Sequence, residues 1–321
     1  MHDTATSNTA ELQRVRKSGL SGQLSRVLPV LMAMLMSITG VGAALLTASP
    51  ASASTPSTYY WVAAANGTVY NFGNAPSYGS AKGISAHPVV GIIATPDNLG
   101  YWEVASDGGV FSFGDAGFYG SVPGILQGRT LSKPVVGMVA TADGKGYWLV
   151  ASDGGVFAFG DAGFYGSAAM IKLSGPVVGM AATPDGQGYW LVASDGGVFT
   201  YGDAVFAGTV TTTVTGSPVG IIASGTSYII ATSRGGGYNF PGSNFNGSLA
   251  MQGTVPNGQI VGISPTADAK GYYFVGSDGG VFTFGDAVYY GSIPASLGQA
   301  GSVFNTQVGV ALASPIVGFA S

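Results

Sequence analysis

GYWLVASDGGVFAFGDAGFYGS, running from Gly146 to Ser167, returns as GYWLVASDGGVFTYGDAVFAGT from Gly188 to Thr209. GYWEVASDGGVFSFGDAGFYGS (Gly100 to Ser121) and GYYFVGSDGGVFTFGDAVYYGS (Gly271 to Ser292) match it closely. Two degenerate copies complete the set: YYWVAAANGTVYNFGNAPSYGS (Tyr59 to Ser80) and SYIIATSRGGGYNFPGSNFNGS (Ser227 to Ser248). The turn position falls at Asn66, Asp107, Asp153, Asp195, Arg234 and Asp278, about forty residues apart, which is the length of one four-stranded propeller blade.

Each copy reads as strands. PVVGMAAT (Pro176 to Thr183) is a short apolar run suited to a strand buried on both faces, and GYWLVAS is rich in aromatic and β-branched residues. Asp-Gly-Gly signals a tight hairpin, because glycine readily takes positive φ. GVFAF alternates with period two, Gly-Asp-Ala turns the chain, and GFYGS reads as a short fourth strand. The first copy lacks a leading strand, and SPIVGFAS (Ser314 to Ser321) supplies one matching HPVVGIIA (His87 to Ala94). The expectation is an all-β, six-bladed β-propeller over residues 54–321, closed by the C-terminal strand, which removes exposed sheet edges.

The N-terminal residues have a different organisation. A basic stretch (Arg14 to Arg26) precedes an apolar run (Val27 to Ala48), and Ala51-Ser52-Ala53 fits the small-x-small cleavage rule. This is the order of a secretory signal peptide over residues 1–53, cleaved after Ala53. The alternative is an uncleaved anchor, since the apolar run is long enough to span a bilayer. In that case the protein meets the membrane only through this segment.

Composition narrows the chemistry. Charged residues make up 8% of a chain of net charge −4, and beyond the basic arm seven basic residues face thirteen acidic ones. Such a surface repels phosphate backbones, so nucleic acid is not an expected partner. There is no cysteine, which rules out disulfides and thiolate metal sites. His87 is the one histidine after the arm, and no Gly-x-Ser-x-Gly elbow accompanies it, so no catalytic triad is expected. A His-based zinc site fails on ligand count. No cofactor, metal site or catalytic residue is assigned.

Carboxylates recur eight residues apart, as Asp107/Asp115, Asp153/Asp161, Asp195/Asp203 and Asp278/Asp286. Each pair brackets a strand, so at about 3.3 Å per residue its members stand some 20 Å or more apart, too far for a glycosidase dyad. Their expected task is to accept turn amides. The alternative task is calcium binding, which the spacing does not favour, since Asp-x7-Asp is not an EF-hand loop. The four tryptophans (Trp61, Trp102, Trp148, Trp190) share one column with Ile229 and Tyr273, expected as interblade core rather than a cofactor box. Glu103 replaces the leucine of sister repeats (Leu149, Leu191) and breaks the apolar pattern; its readings are a site marker or, as expected here, a solvated edge position.

The repeat resembles the GYWLVASDGGVFxFGDAxFYGS repeats of secreted actinobacterial proteins, over nearly all of residues 59–292. In that family the repeats often accompany cell-wall hydrolase or esterase domains. The resemblance implies secretion and a cell-surface or cell-wall setting. It implies no activity, and no hydrolase domain is visible in this sequence. The Ser-Asp-Gly-Gly element also resembles the Asp-box of sialidase propellers. Only Arg129 and Arg234 follow the arm, too few for the arginine cluster that a sialidase resemblance implies.

The functional expectation is a non-catalytic binding or structural propeller that recognises cell-envelope polysaccharide or a surface protein. Repeated, near-identical surfaces suit repeated ligands, because linked weak sites gain avidity. The candidate ligand-binding residues are Tyr78, Tyr119, Tyr165 and Tyr290 in the fourth segment, a column that reads Ala207 and Asn246 in the other two copies. A tyrosine there offers a flat face to a sugar ring and a hydroxyl for hydrogen bonding. The other reading of this column is cover for blade edges. The alternative function is a glycan hydrolase or esterase working at the mouth of the central channel.

Overall fold

The computed structural model describes residues 58–211, 215–293, 312 and 314–321. The predicted signal peptide lies outside the described residues. The chain divides into two units, 1–53 and 54–321, and the described residues all belong to the second.

Six three-stranded antiparallel sheets build this β-propeller, one per repeat. Blade 1 joins β18 (Ile316–Ala320), β1 (Tyr59–Ala64) and β2 (Val69–Gly73). Blade 2 is β3 (Val89–Ala94), β4 (Gly100–Ala105) and β5 (Val110–Gly114). Blade 3 is β6 (Val135–Ala140), β7 (Gly146–Ala151) and β8 (Val156–Gly160), and a short helix, α1 (Val122–Leu126), precedes it. Blade 4 is β9 (Val177–Ala182), β10 (Gly188–Ala193) and β11 (Val198–Gly202). Blade 5 is β12 (Pro218–Ser224), β13 (Ser227–Thr232) and β14 (Gly237–Asn239). Blade 6 is β15 (Ile260–Pro265), β16 (Tyr272–Gly276) and β17 (Val281–Phe284).

The leading strands pack side by side in a circuit: β3 on β6, then β9, β12, β15, β18, and back to β3. The C-terminal strand fills the place the first copy lacks, pairing Trp61 with Ala320 and Val62 with Phe319. Every leading strand carries a bulge at the residue before its glycine, as between Val89 and Gly91 or Val135 and Gly137. The bulge bends the strand and raises its twist. The glycines permit close approach at the centre: a Cβ on Gly179 would stand 3.1 Å from Gly220 Cα.

The apolar core is divided among the six seams between successive blades. In one seam Trp102 and Val104 of blade 2 pack on Tyr147 and Leu149 of blade 3. The same pairing of columns recurs at the closing seam, where Tyr60 and Val62 of blade 1 meet Tyr273 and Val275 of blade 6. The tryptophan column is core as expected, with all four rings buried. Each indole N–H donates to a carbonyl of its own blade's outer segment (Pro76, Gly117, Gly163, Val205) at 2.6–2.9 Å.

The expected fourth strand is not formed. Residues such as 163–167 run outside the sheet, and their backbone groups take side-chain partners instead of a ladder. Gly163 O accepts Trp148 Nε1, Gly166 O accepts the Tyr189 hydroxyl, and Tyr165 N donates to that hydroxyl at 3.2 Å. The segment is satisfied without a strand partner, so the blades stop at three strands.

Deleting Ser314–Ser321 removes β18 and leaves the edge of β1 unpaired. The expected result is a melting temperature lower by about 10 °C or more, followed by circular dichroism. An unchanged value would overturn closure by this strand.

Candidate functional site

The outer segments form the rim of the ring, and their chemistry is set by which residue points inward. In each seam a buried tyrosine on the middle strand (Tyr60, Tyr101, Tyr147, Tyr189, Tyr228 or Tyr272) reaches back to the preceding blade. Its hydroxyl donates to the glycine carbonyl of that blade's outer segment: Gly291, Gly79, Gly120, Gly166, Gly208 and Gly247 in turn. In five of the seams the same hydroxyl also accepts the amide of the residue before that glycine. Burial pushes the hydroxyls of Tyr101 and Tyr272 up to about 12, so they remain protonated donors.

The four tyrosines read as ligand-binding are half-buried and lean into these seams. Tyr119 OH donates to Gly144 O of the next blade at 3.0 Å, and Tyr165 OH to Gly186 O at 2.9 Å. Tyr78 packs between Trp61 and Tyr101, and Tyr290 packs on Tyr60. Asn246 does the same work in blade 5, donating from Nδ2 to Lys270 O at 2.7 Å. The four sit on consecutive blades 6, 1, 2 and 3, each at its own seam.

One residue earlier in the segments of blades 2, 3, 4 and 6 the side chain faces out. Phe118, Phe164 and Phe206 are 61%, 62% and 56% exposed on three consecutive blades, and Tyr289 of blade 6 is 45% exposed. Blade 1 has Ser77 in this place, and blade 5 has the half-buried Phe245. Ile125 and Met170, in the connections after the outer segments of blades 2 and 3, add further exposed apolar surface. Sequence alone does not single out this column, because core repeats also carry phenylalanine. Its signal is the parity of the segment, which puts Tyr and Phe on opposite sides.

The carboxylates are arranged differently from their spacing in sequence. Asp107, Asp153, Asp195 and Asp278 each accept the amide two residues on at 2.9–3.0 Å, the expected turn role. In blades 2 and 6 the second aspartate of the set meets a third, one hairpin away. Thr95 Oγ1 lies 2.8 Å from Asp97 Oδ1 and 3.2 Å from Asp115 Oδ1, and Thr266 joins Asp268 and Asp286 in the same manner. Burial, then the neighbouring Asp97 charge, pushes Asp115 up. Burial also acts on Asp97, but the Leu99 amide and the Thr95 hydroxyl outweigh it and hold that carboxyl down. The recurring Thr-x-Asp before GYW is the sequence signal for this pairing. Among the described residues no group of three or more His, Asp or Glu side chains is placed to hold a metal ion.

Glu103 departs from the solvated edge expected of it. It is fully buried in β4 because its column faces the neighbouring blade, as Leu149 and Leu191 do in theirs. His87 is exposed, with Nε2 3.7 Å from Asp107 Oδ2. At the centre of the ring a cavity of about 130 Å³ is lined by glycines and apolar side chains, among them Ile92, Met138, Met180, Ile221, Ile263 and Phe319. That lining offers no acid, base or nucleophile for the hydrolase alternative.

No protein-family model matches this sequence, and no curated protein does. Among solved structures, the WD40 repeats of RRP9 align with TM-score 0.43 at 15% identity, covering 64% of this chain and 62% of that one. The structure of U3-55K aligns with TM-score 0.40 at 15% identity, covering 63% and 62%. The chain thus spans less than two thirds of either, and so distant a likeness carries no argument about partners.

Tyr147→Phe should cost about 1–3 kcal/mol, because it leaves Gly120 O and Tyr119 N without their partner. Tyr119→Phe, losing one half-buried bond, should cost about 0.5–1.5 kcal/mol. Urea unfolding of the two variants checks the order.

Proposed function

We propose that the protein is a secreted or cell-wall-associated, non-catalytic six-bladed propeller, closed by its C-terminal strand. In this reading it follows an export signal over residues 1–53 and recognises cell-envelope polysaccharide along its outer rim. The observation that carries this reading is the row of exposed rings Phe118, Phe164 and Phe206 at equivalent places on neighbouring blades. An exposed phenylalanine gains nothing for the fold, and repeating it around a ring presents the same apolar plate at regular intervals. Sugar rings have apolar faces that stack on such plates, and a polymer that meets several at once gains avidity from weak contacts.

The tyrosines Tyr78, Tyr119, Tyr165 and Tyr290 support this surface from beneath. Their half-buried rings pack on the buried tyrosines of the seams and, in Tyr119 and Tyr165, bond to the next blade, which sets the outer segment. Glycines follow them directly (Gly79, Gly120, Gly166, Gly291), and a Cβ on any of them would stand 2.6–3.0 Å from a ring of the next blade (Phe113, Phe159, Tyr201, Phe72), so the outer segment lies close against its neighbour.

The combined variant Phe118→Ala, Phe164→Ala, Phe206→Ala should keep the wild-type melting temperature within about 3 °C, since its side chains are mostly solvated. Retention on purified cell-wall polysaccharide should fall at least about tenfold, more than any single variant produces. Equal retention of wild type and triple variant would remove the rim from the reading. If wild type shows no retention on polysaccharide but binds a surface protein, the ligand class is wrong.

A further inference from the structure

The seam between blades 1 and 2 is built unlike the others. In blades 2, 3, 4 and 6 the amide that opens the connection after the outer segment bonds within its own blade. Val122 N donates to Gly108 O, Ala168 N to Gly154 O, Val210 N to Gly196 O and Ile293 N to Gly279 O. In blade 1 the matching amide, Ala81 N, crosses the seam to Glu103 Oε2 of blade 2 at 2.7 Å. Glu103 is fully buried, and its Oε1 has no hydrogen-bond partner. The other five blades place Val62, Leu149, Leu191, Ile230 and Phe274 in this column.

Ala63 stands where blades 2, 3, 4 and 6 have Val104, Val150, Val192 and Val275 and blade 5 has Ala231, and it lines this seam with Trp61, Ile92, Tyr101 and Ala320. Neighbours across the sheet are Ile92 on β3 and Phe111 on β5. Tyr101, two residues back on β4, is the titratable group whose electrostatic interaction reaches Glu103. From the connection after β2, Lys82 is exposed and makes none of the ion pairs among the described residues. Among the described residues no countercharge therefore balances an ionised Glu103.

We propose that Glu103 makes the seam between blades 1 and 2 a pH-responsive joint, closed while its carboxyl is neutral and opening toward water when it ionises. Burial pushes this carboxyl up to about 7, and the Ala81 amide only partly opposes it. A carboxyl raised in the closed state binds its proton more tightly there than in an opened, hydrated one. The closed joint is therefore most stable below the ordinary glutamate range, loses stability as pH rises toward 7, and changes no further above that. This is opposite in sign to Asp143 and Asp268, whose carboxyls the amide and ammonium of Lys145 and Lys270 hold down at about 2. Because Ala320 of β18 belongs to the same seam, the joint adjoins the strand that completes blade 1.

The test uses the full chain, which has two glutamates, Glu11 and Glu103. Selective carboxyl ¹³C labelling of glutamate gives a two-line NMR spectrum, and Glu103→Gln assigns it. Glu103 should titrate near neutrality, and a midpoint in the ordinary carboxylate range overturns the proposal. Hydrogen exchange at the Ala81 amide, corrected for its intrinsic rate, then reads opening. In wild type the opening constant should rise about tenfold per pH unit between about pH 5 and 7 and level off above. In Glu103→Gln it should be flat. The same slope in both proteins overturns the joint. If the glutamine variant does not fold, Glu103→Leu, carrying the side chain of blades 3 and 4, replaces it with the same criterion.

Discussion

A phenol hydroxyl donated to a glycine carbonyl one blade back is the bond on which this ring depends. It occurs in all six seams, including the closing one, where Tyr60 of blade 1 reaches Gly291 of blade 6. A three-stranded blade cannot bury both its faces alone, so its apolar columns need neighbours. Apolar packing is indifferent to small slides, whereas a buried hydroxyl without its partner costs about 1–3 kcal/mol. The bond therefore converts a loose stack of sheets into a stack with fixed spacing. It also carries each outer segment onto the next blade, which is why that segment needs no ladder.

The rim inherits its form from that bond. With the glycine carbonyl and the preceding amide tied to a buried tyrosine, the outer segment is fixed at its centre. Side chains on alternate positions then take opposite fates: Tyr119 and Tyr165 tuck against the next blade, while Phe118 and Phe164 stand in water. A rigid support under an exposed ring lowers the entropy lost when a ligand stacks on it. The interaction that spaces the blades thus also spaces the plates, and blade 1, with Ser77, interrupts the series.

Much of the fold is legible in the sequence because repetition exposes it. The six copies, the displaced leading strand and the tryptophan column all follow from comparing the chain with itself, and β18 pairs with β1 as that comparison requires. The fourth strand is not legible. Gly-Phe-Tyr-Gly-Ser has strand composition, while strand formation depends on a partner that the tyrosine hydroxyl and the indole N–H displace. The carboxylates pair across a hairpin rather than along one strand, because the register Gly100 to Gly114 brings Asp115 beside the turn that holds Asp97. Of the candidate site, sequence marks the segment but not the face. A half-buried tyrosine and an exposed phenylalanine differ by one residue, and no periodicity survives over so short a stretch.

Glu103 shows how a repeat can break its own rule in one place. A carboxylate in an apolar column conflicts with burial, and such conflicts persist when neighbours compensate. Compensation here is visible in the Ala81 amide, which leaves its own blade to meet the carboxyl. That adjustment lies in blade 1, the degenerate copy whose leading strand comes from the far end of the chain. The near-identical blades 2 to 4 repeat one another's contacts across their seams, so their stability is distributed. The seam that departs from the pattern is one that borders the closing strand. A change in the charge of one side chain there acts on the ring at the blade where the two ends of the propeller are joined, whereas a charge in the seams among blades 2 to 6 would act on blades of continuous chain.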